Sequence, residues 1–306
     1  ILKLQKLDMK ILFTGGNSFT GVWIVRKLAL EGHEVICPLL RQEQEYDTAL
    51  QIERLSELKK NAEYIFDAPF GSNKFLDVLT HFKPEIFCHH ASLVQGYQTN
   101  NFNPIEALEQ NTKNFNYVAK SDFIEKVIYT GSIFQANAGL SDQPYQSIGK
   151  YGLSKLLTQQ MLEQTCINFK KSFGHFIISN PFGALENPKI TNYLFSNWKK
   201  GKQPYLKAPF YIRDHIPVEL LATYYSRAVL KSEPRWTVAP CGYVGTVLDF
   251  ANRFANEVTD RTGMICLTSY DKNQTITEPR TLINRDNVFL SEINWNEIEF
   301  WDQYIE

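Results

Sequence analysis

Lys10-Ile-Leu-Phe-Thr14-Gly15-Gly-Asn17-Ser18-Phe19-Thr-Gly21 is the stretch on which the reading of this chain turns. Lys10–Thr14 has the length and apolar content of a short buried strand, and it runs straight into a glycine-rich turn. Behind the turn, Val22, Ile24, Val25, Leu28 and Leu30 give a mostly apolar helix, closed by Gly32. Strand, glycine turn and helix in that order let backbone N–H groups approach an anion at a helix N-terminus. That is the context in which a glycine cluster reads as a dinucleotide site. A tight βα turn without a ligand has the same pattern, so residues further out must decide.

Working outward, Val35–Leu40 reads as a second strand ending near Arg41. An acid at this strand end holds the ribose 2′-hydroxyl of NAD, whereas an Arg accommodates a 2′-phosphate. No acid stands between Glu34 and Glu43, so Arg41 leans the expectation to NADP(H) over NAD(H). Helical residues 47–60 lead to a third strand, Glu63–Phe66, with Asp67 at its end. Residues 72–82 read as helix and Pro84–His90 as a fourth strand opening into Ala91 and Ser92. His89 and His90 are adjacent on that strand, so they face opposite sides and read as packing residues, not as a metal pair. Pro104–Lys120 reads as one amphipathic helix, and Lys126–Ser132 as a fifth strand with Ser132 at its carboxyl end.

Ser147-Ile-Gly-Lys-Tyr151-Gly-Leu-Ser-Lys155 opens the next helix. Tyr151 and Lys155 are four apart and share a helix face. A phenol titrates near pH 10, and a cation close by favours the phenolate, which makes Tyr151 a candidate acid/base for a hydroxyl or carbonyl. Tyr-x-x-x-Lys arises by chance on surface helices. Here it follows a glycine turn and a strand-end Ser whose hydroxyl could bond the substrate oxygen. Gly174–Ser179 is a sixth strand, after which the rhythm changes. Residues 186–210 read as helical and basic, Trp236–Ala239 as a return to the sheet, 245–257 as helix, Met264–Leu267 as a short strand and Phe300–Tyr304 as a terminal helix.

This alternation predicts an α/β fold: a doubly wound parallel sheet of the Rossmann type with a smaller C-terminal substrate-binding lobe. The expected division is 9–179 for the dinucleotide-binding part and 180–306 for the lobe, with the chain returning to the sheet near 211–243. At 306 residues, 43% hydrophobic, 21% charged and net charge −1, the composition is that of a soluble globular protein. The balance argues against a nucleic-acid partner, and no apolar run is long enough for a membrane span. Cys37, Cys88, Cys166, Cys241 and Cys266 are scattered without a CxxC pair, as expected of buried thiols in a reducing cytoplasm. Met9, just before the first strand, is a candidate start, with 1–8 a loose tail lacking the apolar core of a signal peptide.

With these motifs in order, the chain resembles the extended short-chain dehydrogenases/reductases of the nucleotide-sugar epimerase and dehydratase family, over residues 9–304. Thr14–Gly21 resembles the family's TGxxGFxG turn, with Ser18 where the middle glycine belongs. Pro84–Ser92 resembles its PDxVxHxAA strand, Asn180-Pro-Phe-Gly183 its NxxG element and Arg213–Val218 its RDxxHV segment. The resemblance implies Ser132, Tyr151 and Lys155 as catalytic residues. It implies Gly15, Asn17, Ser18, Phe19, Gly21, Arg41, Asp67, Ala91, Ser92, Tyr151 and Lys155 around the cofactor, with Asp67 on the adenine. It further implies that Asn180, Arg213 and Arg280 bind the substrate, the first two at a nucleotide diphosphate, and that the protein is a homodimer.

Departures from the family pattern narrow the expected chemistry. Family 4,6-dehydratases carry two acids just after the catalytic Ser/Thr, where this chain has Ile133 and Phe134. No Cys stands there, and no His follows Gly183, as in epimerase-reductases that deprotonate carbon beside a ketone. Hydride chemistry remains: a 4-epimerase or a 4-keto-sugar reductase. From another class, a non-catalytic dinucleotide-binding sensor or scaffold would usually have lost the Tyr or Lys. A reductase of a non-sugar carbonyl would have little use for Arg213.

Overall fold

Ile11 and Phe13 point to one side of the first strand and Leu12 to the other, because strand side chains alternate. All three are fully buried, so the strand must lie between two layers. The structure is a computed structural model that describes residues 8–99, 101–144, 146–273, 275–286, 293 and 295–306. In chain order it runs β1 (Lys10–Thr14), α1 (Phe19–Leu30), β2 (Glu34–Pro38), α2 (Ala49–Asn61), β3 (Glu63–Ile65), α3 (Asn73–Phe82) and β4 (Ile86–His89). There follow α4 (Pro104–Thr112), α5 (Phe115–Lys120), β5 (Lys126–Ser132), β6 (Leu140–Ser141), α6 (Gly149–Asn168) and β7 (Ser172–Ile178). Beyond residue 179 come β8 (Asn180–Phe182), α7 (Ile190–Trp198), β9 (Tyr205–Leu206), β10 (Ile212–Pro217), α8 (Val218–Val229) and β11 (Arg235–Val238). The chain finishes with β12 (Tyr243–Thr246), α9 (Val247–Thr262), β13 (Ser269–Tyr270), β14 (Thr281–Ile283) and α10 (Glu297–Ile305).

The main sheet has seven parallel strands ordered β3-β2-β1-β4-β5-β7-β11. Its order reverses between β1 and β4, which opens a crevice at their carboxyl ends. One face packs Val22, Val25 and Leu28 of α1, Leu55 and Leu58 of α2 and Leu221, Tyr225 and Ala228 of α8 against Ile11, Phe13 and Phe176. The other packs α3, α5 and α6 against Leu12, Phe87, Val127 and Tyr129. A smaller sheet has the order β12-β10-β14-β6 with β8 beside β10, and its Leu282 packs on Ile133 and Phe134 just past β5. An aromatic core of Phe182, Trp198, Phe250, Phe254, Phe300 and Trp301 lies in this second part. Among the described residues no helix is long and apolar enough to cross a membrane.

The elements differ from the sequence reading in four places. Residues 104–120 form two helices, because Asn114 takes a left-handed conformation (φ +57°). Its side-chain amide donates to the Gly71 carbonyl at 2.7 Å, which fixes the break against the turn before α3. Within 186–210 only Ile190–Trp198 is helical, stopped before Gly201 with its positive φ. Met264–Leu267 is irregular, and the short strand is Ser269–Tyr270, paired with β9. The sequence reading passed over α8 entirely. Ten of its 12 residues are buried, so it has no polar stripe to mark a helical period.

Candidate active site

Thr14, the last residue of β1, ties the crevice together. Its hydroxyl accepts the N–H groups of His90 and Ala91, each at 3.1 Å, and lies 3.2 Å from His89 Nδ1. Gly15 follows at φ +76°, where a Cβ would stand 3.0 Å from Ala91 N, so the turn and the β4 exit are in contact. Ser18 is the N-cap of α1 and accepts the Gly21 N–H at 3.1 Å. Among the described residues the N–H groups of Phe19 and Thr20 have no internal acceptor. Two open donors at a helix start, beside a glycine turn, fit a pyrophosphate.

Arg41 is exposed just past β2. Its N–H donates to the Tyr46 hydroxyl at 3.3 Å and its carbonyl accepts the Asp67 N–H at 3.0 Å. The Asn17 side chain also bonds Tyr46, so Asn17, Arg41 and Asp67 come together at the ends of β1, β2 and β3. Asp67 is exposed and left-handed (φ +54°). Phe19 is buried, with the Arg54 guanidinium 6.0 Å over its ring.

At the exit of β4 the two histidines face opposite layers. His89 stacks with Phe87 and its Nε2 lies 2.8 Å from the Asn111 carbonyl. His90 stacks with Phe13 and bridges Thr20 (2.9 Å) and Thr130 (3.0 Å). Burial pushes them down to about 4 and about 3, so both rings are neutral.

Lys155 is buried, and its ammonium donates to the Thr130 carbonyl at 2.6 Å and the Ser92 hydroxyl at 2.8 Å. Burial pushes this ammonium down to about 7. An ammonium has three donors, and two acceptors leave one for a ligand hydroxyl. Tyr151, one turn earlier, lies against the rings of Tyr97 (5.0 Å), Phe102 (6.2 Å) and Phe134 (6.5 Å). Burial, and secondarily the Tyr97 phenol, push its pKa up. The helix carrying both residues is pressed onto the turn after β5. Ile148 N–H donates to the Phe134 carbonyl at 2.8 Å, and a Cβ at Gly152 would collide with that same oxygen. Ser132 lies in that turn, where its hydroxyl accepts the Phe134 N–H at 3.3 Å and its own N–H donates to Gln135 Oε1 at 2.8 Å. Ile133 and Phe134 pack with Leu282 of β14, which joins this turn to the smaller sheet.

In that sheet Asn180 donates to the Asp214 carbonyl at 3.1 Å. Arg213 is tied inward, to the carbonyls of Ile212, Pro279 and Arg280 and to Glu278. Arg280 is exposed, with Nε 3.3 Å from the Phe210 carbonyl. Sequence reasoning missed Thr14, Thr130, Tyr97 and Glu278. Strand register and loop path bring them in, and no spacing announces either.

A parallel sheet with its order reversed beside a glycine turn defines the doubly wound, Rossmann class of protein. Solved structures share this fold across almost their whole length. UDP-glucose 4-epimerase from Thermotoga maritima, with UDP-glucose, aligns at TM-score 0.73 and 18% identity over 97% of each chain. UDP-N-acetylglucosamine 4-epimerase from Methanobrevibacter ruminantium, in complex with UDP-N-acetylmuramic acid, gives 0.73 and 18% over 97% of this chain and 96% of its own. UDP-glucuronic acid 4-epimerase from Bacillus cereus, in complex with UDP-glucuronic acid and NAD, gives 0.72 and 15% over 97% and 99%. No curated protein sequence matches the chain. The family model described as NAD dependent epimerase/dehydratase family matches residues 11–235, and the chain belongs to that family.

Proposed function

We propose that this protein is an NAD(P)-dependent enzyme acting on a nucleotide-linked sugar, with epimerisation at carbon 4 favoured and reduction of a 4-keto sugar as the second reading. The observation that carries this is the juxtaposition of Lys155, Ser92, Thr130 and the glycine turn at the switch point, with Tyr151 and Ser132 on adjoining turns. The dinucleotide supplies hydride exchange when bound. Phe19 and Thr20 N–H would hold its pyrophosphate, Asp67 its adenine end and Lys155 a ribose hydroxyl. Tyr151 exchanges the proton of the sugar hydroxyl, and Ser132 bonds the same oxygen. Burial, with the Tyr97 phenol, keeps Tyr151 a neutral donor, which suits protonation of a ketone, and a charged Lys155 favours the reverse direction. Ile133 and Phe134, packed on Leu282, leave no acid beside Ser132 to expel a 6-hydroxyl.

NADP(H) is favoured over NAD(H) by Arg41, which has no carboxylate partner among the described residues. The nearest acids are engaged elsewhere, Glu43 with Lys59 and Glu45 with the Gln42 N–H. Homodimer formation is supported by Leu153 and Met161, exposed on one face of α6, and by exposed Ile105 on the adjacent α4.

Tyr151→Phe is expected to lower kcat by roughly 10²–10⁴, the worth of a positioned acid/base, with dinucleotide affinity unchanged. Near-normal turnover of a UDP-sugar panel by the variant would remove Tyr151 from the chemistry. Mass spectrometry of the purified protein separates the two readings, since an epimerase retains its dinucleotide through turnover and a reductase releases it.

A further inference from the structure

Arg213 and Glu278 meet at the seam between β10 and the chain entering β14. The Arg213 guanidinium donates through one nitrogen to the carbonyls of Ile212 (2.9 Å), Arg280 (2.9 Å) and Pro279 (3.3 Å). Its other terminal nitrogen donates to the Glu278 carboxylate at 2.9 Å. The plane of the guanidinium rests on the Tyr211 ring at 4.5 Å. The Arg213 side chain is 11% exposed and that of Glu278 37% exposed. Three carbonyls and a ring hold the cation in place, and among the described residues its one salt-bridge partner is the more accessible of the two.

We infer that Glu278 is an intramolecular competitor for the anion that Arg213 binds, its carboxylate standing where a diphosphate oxygen of the substrate would be accepted. This rests on the nucleotide-sugar reading of the site and adds a residue to it. A guanidinium edge that donates to a carboxylate donates equally well to a phosphate, since both present oxygens at similar spacing. The two anions repel, so the diphosphate enters only as the carboxylate leaves. The backbone around Glu278 stays put meanwhile. The Tyr211 hydroxyl accepts the Thr277 N–H at 2.9 Å, and Ile212 N–H donates to the Arg280 carbonyl at 2.8 Å. Release therefore needs a side-chain rotation toward solvent and no loop opening. A ligand whose binding partner is engaged in most molecules has its affinity reduced by the engaged fraction, so the device sets a threshold for nucleotide binding.

The test compares wild type with Glu278→Gln, which keeps the shape and removes the charge of a partly exposed side chain. Affinities for UDP, GDP and dTDP, and for the three nucleosides, are measured by isothermal titration calorimetry. The variant is expected to bind its preferred diphosphate about five- to tenfold more tightly, with the matching nucleoside unchanged. Unchanged or weaker diphosphate binding overturns the inference, as does an equal gain for the nucleoside, which would report a loop effect. Absence of diphosphate binding by both proteins overturns instead the functional reading beneath it. Arg213→Met supplies an independent arm: without the cation the gain from Glu278→Gln should vanish in the double variant, and persistence of the gain there excludes Arg213 as the contested cation.

Discussion

Ser18 occupies the turn where a glycine would leave more room, and its hydroxyl explains its presence. By accepting the Gly21 N–H it satisfies one of the donors that a helix start leaves open. Ser18→Ala is expected to cost about 1 kcal/mol of unfolding free energy and Ser18→Gly only a few tenths, read from urea midpoints at constant m. An equal loss in the two would show that the cap is not what Ser18 contributes. Arg41 makes the second prediction at this scale. If it meets a 2′-phosphate, Arg41→Ala should remove about 1.5–3 kcal/mol of preference for NADPH over NADH, the value of a hydrogen bond to a charged group. Fluorescence titration that finds NADH bound equally well or better by the wild type would leave Arg41 a loop residue. Tyr151 and Lys155 were legible because a separation of four is a helical period, visible without any knowledge of the fold. Ser132 was legible as the last residue of a strand. Thr14 carries as many bonds as any of them, but its neighbours are 74 or more residues away, and only strand register supplies that proximity.

At the scale of elements, α6 owes its position to a glycine more than to its apolar faces. Intrinsic propensity favours Ala over Gly inside a helix by about 1 kcal/mol. Packing opposes it at Gly152, where an added Cβ would collide with the Phe134 carbonyl oxygen, a backbone atom that cannot swing aside. Gly152→Ala should therefore lower the thermal midpoint and, by lifting α6 from the turn after β5, lower kcat as well. A more stable variant with normal turnover would contradict this account of how Tyr151 is placed. The main-sheet strands were readable because each is a short apolar run between turn signals, and α1 because its polar and apolar positions alternate with a period. The break between α4 and α5 was not readable. Asn114 is a modest helix former, and it leaves the helix because Gly71, far off in the chain, offers its carbonyl. α8 escaped for the opposite reason, being buried nearly all round.

The whole molecule should be sensitive to acid. His89, His175 and His215 are buried and His90 is half-buried, and desolvation pushes His89, His90, His175 and His215 down to about 4, 3, 3 and 4 respectively. In the unfolded chain the same imidazoles protonate near pH 6.5. Between pH 6.5 and about 4 the unfolded state thus binds more protons, and stability falls as pH is lowered; above 6.5 their contribution is complete. Asp214, pushed up to about 6 by burial, works in the opposite sense between pH 3.8 and 6, and Glu186 and Glu219, also raised by burial, act with it, while the four rings outnumber these carboxyls. Urea midpoints should fall across pH 6.5 to 4, less steeply in His175→Gln; a flat profile would mean these rings are not kept neutral. Light scattering tests the assembly. The exposed Ile105, Leu153 and Met161 lead us to expect a dimer, with Leu153→Glu giving a monomer.

The path of the chain between its two sheets has a practical consequence. After β7 it leaves the main sheet for β8, α7, β9 and β10, comes back with α8 and β11, and leaves again at β12. With the earlier excursion to β6 between β5 and α6, five crossings join the halves, so no single cut separates them. Grafting this protein's smaller half onto a relative would require breakpoints near 132, 149, 179, 218 and 240, and a truncation at residue 179 would strip the main sheet of its edge strand and of the helix covering α1. Any exchange of segments between such chains meets the same obstacle: residues of the smaller sheet are more readily altered by point changes in place than by transfer as a module.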